Sequence, residues 1–275
     1  MARLTSFRWL RQLVLALSCL LLVIACNNSS PNSGSAGNGQ SDAKTLKVAI
    51  DPTFAPFEFQ GKDGTLQGFD VDLVNSISKA SGLQTKFENM RFDGMIAALQ
   101  AGTVDAAVAG MTITPERAKV INFSKPYFRS GLAIAVSEKS KDITKLDNLK
   151  NKKVAVQIGT TSADNAKTIP GAKISTFDTP DLALQELSNG NVDAVINDRP
   201  VTLYAFKTGN LKGLKVVGEM LTEEYYGIAT PKNSTHVEAI NKGLDTIIKD
   251  GTYAQIYKKW FNEEPPKLPE AAPLK

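Results

Sequence analysis

The apolar residues of this chain follow two alternating rhythms. Short apolar or alternating runs predict strands at 45–50, 84–88, 104–109, 132–136, 153–157, 173–177, 192–197 and 225–230. Between them, apolar residues at helical spacing predict helices. One opens at Phe69-Asp70, carries Leu73, Ile77 and Ala80 on one face and stops at Gly82; another carries Phe92, Met95, Ile96 and Leu99 and stops at Gly102. Further helices are predicted from Thr114-Pro115-Glu116, over 181–187 and over 200–207. Two C-terminal helices present Val237, Ile240, Leu244 and Ile247, then Tyr253, Ile256, Tyr257 and Trp260, each stripe suited to packing on a sheet. Strands alternating with helices of similar length specify an α/β fold, a mostly parallel sheet with helices on both faces.

The chain also echoes itself. Residues 99–108 and 187–196 agree at Leu, Gly, Val, Asp and Ala, each reading as helix end, glycine, acidic turn and buried strand. Two copies are too few for a solenoid. They fit two α/β lobes, each with a strand whose carboxyl end is a natural ligand position, although a chance match of a common helix–strand unit gives the same spacing. A polar break at 137–145 starts the second lobe, and if the C-terminal helices close the first, the chain crosses between lobes at 132–136 and 225–230. Two crossings make a hinge.

The turn after 104–109, Gly110-Met111-Thr112 leading to Thr114-Pro115-Glu116-Arg117, points backbone N–H groups and a helix N-terminus at one spot, where anions bind. Gly110 permits close approach, Thr112 adds a hydroxyl, and Arg117 returns a planar fork suited to a carboxylate. A plainer reading has Thr114 capping a helix and Arg117 in solvent. Gly159-Thr160-Thr161 is a second glycine turn into a capped helix, without the lysine and spacing of a nucleotide loop.

Charge and cysteine usage narrow the chemistry. The N-terminus carries Arg3, Arg8 and Arg11, an apolar run at 13–25 and then Cys26, with no acidic residue before it, which reads as a secretory signal. Val23-Ile24-Ala25-Cys26 resembles a bacterial lipobox, in which the cysteine is lipidated and anchors the chain to the membrane surface. Those three arginines account for three of the four net positive charges, leaving +1 and no case for nucleic acid. Residues 27–44 are Asn-, Ser- and Gly-rich and predict a flexible tether. Cys19 lies in the signal, so disulfides, thiol nucleophiles and cysteine metal sites are not expected beyond it. The single histidine, His236, falls at an expected surface helix start, which argues against triads and zinc; no metal or cofactor is expected.

Asp51-Pro52-Thr53-Phe54-Ala55-Pro56-Phe57-Glu58, Gly68-Phe69-Asp70-Val71-Asp72-Leu73, the 110–117 turn, Phe123-Ser124-Lys125-Pro126-Tyr127, Gly159-Thr160-Thr161 and Gly251-Thr252-Tyr253 occur in order from about 46 to 261. Together they resemble the polar amino-acid-binding proteins of bacterial ABC transporters, family 3 of the extracellular solute-binding proteins, with glutamine and histidine/lysine/arginine binders most similar. The resemblance implies a periplasmic-binding-protein-like type II fold, two Rossmann-like lobes joined by a two-strand hinge. It implies 1–25 as lipoprotein signal, 26–44 as tether, 45–132 with 228–262 as lobe 1, 133–227 as lobe 2, and 263–275 as a tail. The expected protein is a monomer in the periplasm or at the cell surface, lipid-anchored, which closes on a free polar L-amino acid and delivers it to a permease.

By the same resemblance, Arg117 clamps the α-carboxylate with Thr112 and the N–H groups at Thr160 and Thr161. Asp198 and the Gly110 carbonyl take the α-ammonium, Phe54 and Phe92 sandwich the side chain, and Asp51 reads its far end. Phe92 equally fits the helical stripe with Met95 and Leu99, and Asp198 equally fits a helix cap before Pro200. Gln157 and Asn197 stand where glutamine binders tend to have lysine and histidine. If Arg117 and Asp198 neutralise the ligand's own charges, Asp51 is left unpaired in a partly dry site, which favours arginine, lysine or histidine over glutamine. Glutamine's carboxamide also satisfies Asp51, and Gln157 suits either ligand. The rival classes are a dehydratase-like enzyme using Asp51, Glu58 and Asp198 as acids or bases, and a surface sensor.

Overall fold

The structure, a computed structural model, describes residues 45–209 and 211–273. The expected signal, Cys26 and the tether lie outside the described residues. Two five-stranded sheets are built to one plan. In the first, Gln84–Asn89, Thr45–Ile50 and Ala106–Ala107 run parallel, followed by Ala229–Pro231 and Ile121–Phe123. In the second, Lys173–Phe177, Lys153–Gln157 and Ala194–Asp198 run parallel, followed by Leu132–Ser137 and Leu214–Val217. In each lobe the fourth strand returns antiparallel to the third. The inner strands are covered on both faces, which is why they read as nearly continuous apolar runs.

The sequence echo is a structural one. Asp105 N–H donates to Lys47 O and its carboxylate accepts from Lys47 N–H at 2.9 Å; Asp193 makes the same pair of bonds with Lys153, the second at 2.8 Å. Each aspartate thus locks the third strand of its sheet to the neighbouring second strand.

The cores differ. Beneath one face of the first sheet lies an aromatic cluster in which Phe57, Phe69, Phe128 and Tyr226 meet edge-on or stacked, with helices Phe69–Ser81, His236–Lys249 and Thr252–Phe261 closing over it. The main cluster of the second lobe is aliphatic, from Leu132, Ile134, Val154, Val156 and Ile196.

Several sequence expectations shift. Ala80 is exposed, and Val74 and Ser78 complete the buried face of its helix. The 92–99 segment starts as a 3₁₀ turn, Phe92–Gly94, before the α-helix Met95–Gln100. Only Ala106–Ala107 of the 104–109 run is laddered strand, because the chain turns away at Gly110, φ 51°. The 225–230 run is two strands, Glu224–Tyr226 and Ala229–Pro231, since Gly227 donates to Met111 O and the partner changes from Phe128–Ser130 to Ile121–Phe123. The crossing therefore sits in the two-stranded sheet of Phe128–Ser130 with Glu224–Tyr226, while Leu132–Ser137 already belongs to the second sheet.

Candidate functional site

The carboxyl ends of the parallel strands Thr45–Ile50 and Lys153–Gln157 meet at a cleft between the two sheets, where Gln157 Nε2 donates to Asp51. Thr114 caps the short helix Pro115–Val120, its hydroxyl accepting from Arg117 N–H at 3.2 Å. That cap fixes where the Arg117 side chain leaves the helix. Its guanidinium donates to Thr112 O at 2.8 Å and, across the cleft, to Gly159 O at 3.1 Å, and it lies 5.3 Å from the centroid of the Phe92 ring. Arg117 is 8% exposed, so the solvent reading of this residue does not hold. Burial lowers its pKa, opposed by the nearby carboxylates of Glu224, Asp164 and Asp198.

Asp51 ends the first strand and is 5% exposed. It accepts from Thr53 Oγ1 at 2.8 Å, Phe92 N–H at 3.2 Å and Gln157 Nε2 at 3.4 Å, the last from the opposite lobe. Burial pushes its carboxyl upward, and these donors pull it back. Phe92 belongs both to this end and to a core cluster with Met95 and Leu99. Phe54 packs on Phe57 with ring centroids 5.8 Å apart and lies over Gly110, where a Cβ would meet Phe54 Cε1 at 2.5 Å. Gly110 is therefore required both by its backbone and by the ring above it.

Asp198 is 5% exposed and makes no capping bond, although it precedes the helix Arg199–Thr208. Its carboxylate instead accepts from the Tyr226 and Ser130 hydroxyls. Burial, with Glu224 nearby, pushes its carboxyl up to about 7. Asn197 points elsewhere, donating to Thr202 Oγ1 at 3.2 Å. The Thr160 hydroxyl bonds to Gln157 O and caps the helix Thr161–Lys167 by accepting from Ala163 N–H.

Glu224 is the residue missed from the sequence. It is 6% exposed, and its Oε2 accepts from Thr112 Oγ1 of the first lobe at 2.6 Å and Thr161 Oγ1 of the second at 3.0 Å, while Thr222 Oγ1 donates to Oε1 at 3.0 Å. The Thr112 hydroxyl, expected to face a ligand carboxylate, is thus engaged by this side chain, as is the hydroxyl of Thr161, of which only the N–H was expected to take part. The available signal was an acidic pair, Glu223-Glu224, opening a crossing strand.

Behind the cleft wall, Glu58 and Asp70 are fully buried side by side. Asp70 accepts from Gly110 N–H at 3.1 Å and Tyr127 OH at 2.8 Å, and its carboxyl is raised by burial to about 6. Burial and the adjacent Asp70 hold Glu58 well above the usual carboxylate range. Asp70 anchors the Gly110 turn from below.

The other features carry less chemistry. A cavity of about 250 Å³ lined by Ala55, Asp181, Gln185, Val201, Tyr204 and Leu211 has one carboxylate and no cation, which does not suit a zwitterion. His236 Nε2 lies 3.9 Å from Asp105 Oδ1, in a more covered position than its sequence context implied. Among the described residues no helix is long and apolar enough to cross a membrane, and no cluster of three His, Cys, Asp or Glu is arranged to hold a metal.

The family model of bacterial extracellular solute-binding proteins, family 3, matches residues 46–263. A probable histidine-binding protein of Neisseria gonorrhoeae is 34% identical, the match covering 90% of this chain and 94% of that one. Among solved structures, the arginine-, lysine-, histidine-binding protein ArtJ of Geobacillus stearothermophilus is 39% identical with a TM-score of 0.77, covering 81% and 97% of the two chains. An ancestral arginine-binding protein has been solved with arginine (48% identity, TM-score 0.76, 79% and 98% covered) and with glutamine (46%, 0.74, 80% and 98%).

Proposed function

Because the chain belongs to the bacterial extracellular solute-binding proteins, family 3, we propose that it is the substrate-binding component of an ABC amino-acid importer, selective for a basic L-amino acid. In this reading Arg117 holds the α-carboxylate with the N–H groups at Thr160 and Thr161. Asp198 and the Gly110 carbonyl hold the α-ammonium. Phe54 and Phe92 flank the side chain, and Asp51 with Gln157 reads its far end. The lobes, 45–132 with 228–262 and 133–227, close by bending at the two-stranded crossing, and the closed form presents the ligand to permease subunits. A lipid on Cys26 would keep the monomer at the membrane, with 263–275 as its tail.

The observation that carries this reading is the joint burial of one guanidinium and the carboxylates Asp51 and Asp198 at the mouth of both sheets. Buried charges of that kind are costly unless partnered, and a basic amino acid partners each of them. Capture and release need no nucleophile, so the reading is of a binding protein and not an enzyme. Glutamine is the second candidate, favoured by the neutral donors already on Asp51, Thr53 Oγ1 and Gln157 Nε2. Calorimetric titration with the twenty amino acids tests the proposal. Arginine, lysine or histidine should bind more tightly than glutamine; tightest binding by an acidic or apolar amino acid, or by none, refutes it.

A further inference from the structure

Glu224 is not needed to bind an amino acid. With Arg117 on the α-carboxylate, Asp198 on the α-ammonium and Asp51 at the side chain, every charge of the ligand already has a partner. Yet Glu224 is buried in the same cleft, anchored at the crossing where Glu224–Tyr226 pairs with Phe128–Ser130.

Its three hydrogen-bond partners, the hydroxyls of Thr112, Thr161 and Thr222, are neutral. They solvate a carboxylate but do not cancel its charge. Arg117, whose guanidinium donates to Thr112 O while the Thr112 hydroxyl donates to Glu224, is the cation beside it, and Asp198, of its own sign, also lies near. A ligand carboxylate that takes Arg117 therefore removes the counter-charge on which Glu224 depends. The ligand's α-ammonium cannot replace it, because that charge only neutralises Asp198. A second positive charge on the ligand, although its direct partner is Asp51, lowers the net negative charge of the cleft to which Glu224 adds.

We propose that Glu224 is a specificity-determining residue of the cleft, whose surplus negative charge favours amino acids with a cationic side chain over neutral ones of the same shape. The inference rests on the amino-acid-binding reading above. It differs from the role of Asp51, which would touch the side chain directly, in acting through the field of the closed, poorly solvated cleft.

The test is the ratio of affinities for arginine and its neutral twin citrulline, by calorimetry at low salt. Glu224→Gln keeps a carbonyl oxygen for the threonine hydroxyls and removes the charge, and should lower the arginine preference about tenfold. Glu224→Asp keeps the charge while disturbing the hydroxyl geometry. It should weaken both ligands and leave the ratio within about twofold, so it remains informative even if Glu224→Gln folds poorly. A ratio unchanged in Glu224→Gln, or collapsed in Glu224→Asp, overturns the inference and assigns Glu224 a structural role. Failure of the unaltered protein to bind any amino acid instead removes the reading beneath it.

Discussion

Contacts deep in the cleft and contacts at its rim both join the two lobes, but their surroundings set their worth. In the cleft, the buried Arg117 reaches Gly159 O and the buried Glu224 ties Thr112 to Thr161. At the rim, Arg91 pairs with Asp178 at 2.7 Å with both side chains 54% exposed, and Phe59 meets Tyr204 with ring centroids 5.9 Å apart. An exposed ion pair exchanges water for a partner at little net gain. A buried one that loses its partner leaves a charge stranded, at a cost of several kcal/mol. Closure should therefore be decided by what fills the cleft, with the rim only tidying the edge.

The largest expected effect follows from Arg117→Ala. It removes the cation that the cleft carboxylates face and the clamp for the ligand carboxylate, and should lower affinity by at least about 100-fold. Titration with arginine reads it directly; a loss under about fivefold would place the ligand elsewhere.

Asp198 gives an intermediate effect, expressed through pH. Its carboxyl is raised from 3.8 to about 7, so the folded chain holds that proton more tightly than the unfolded chain. The stability gained is complete below about 3.8 and is lost as pH rises through about 7. An α-ammonium needs the ionised form, so affinity should climb with pH and level off above about 7. At pH 6 binding should expel up to one proton, seen as a binding enthalpy that changes between buffers of different ionisation heat. Asp198→Asn should abolish that buffer dependence along with most of the affinity.

The smallest effect belongs to Arg91→Ala. It should change arginine affinity by less than about threefold and thermal stability by less than about 1 kcal/mol. A tenfold loss in calorimetry would show that the rim, not the cleft, controls closure.

Much of this arrangement was legible in the chain because it is local. The paired strands, the aspartates of the echo, the Thr114 cap and the glycine turns each declare themselves within ten residues. So did the burial candidates Asp51, Arg117 and Asp198, which sit at strand ends or in the first turn of a helix. The rest depended on partners far away in sequence. Glu224 looks like a surface acid until Thr112 and Thr161 arrive from both lobes, 112 and 63 residues distant. Asp198 looks like a helix cap until Tyr226 reaches it from 28 residues away. The split of the 225–230 run was equally hidden, since its two halves are apolar alike and only their different partners separate them. Glu58 was visible as an acid, but not its burial against Asp70.

The central claim is that Arg117 and Asp198, on opposite lobes, hold opposite ends of one zwitterion. A crystal structure of the protein with L-arginine tests it most directly. The account predicts the α-carboxylate on the Arg117 guanidinium, the α-ammonium within hydrogen-bond distance of Asp198, and the ligand guanidinium turned toward Asp51. An arginine bound with its carboxylate away from Arg117, or held outside the cleft altogether, would contradict it.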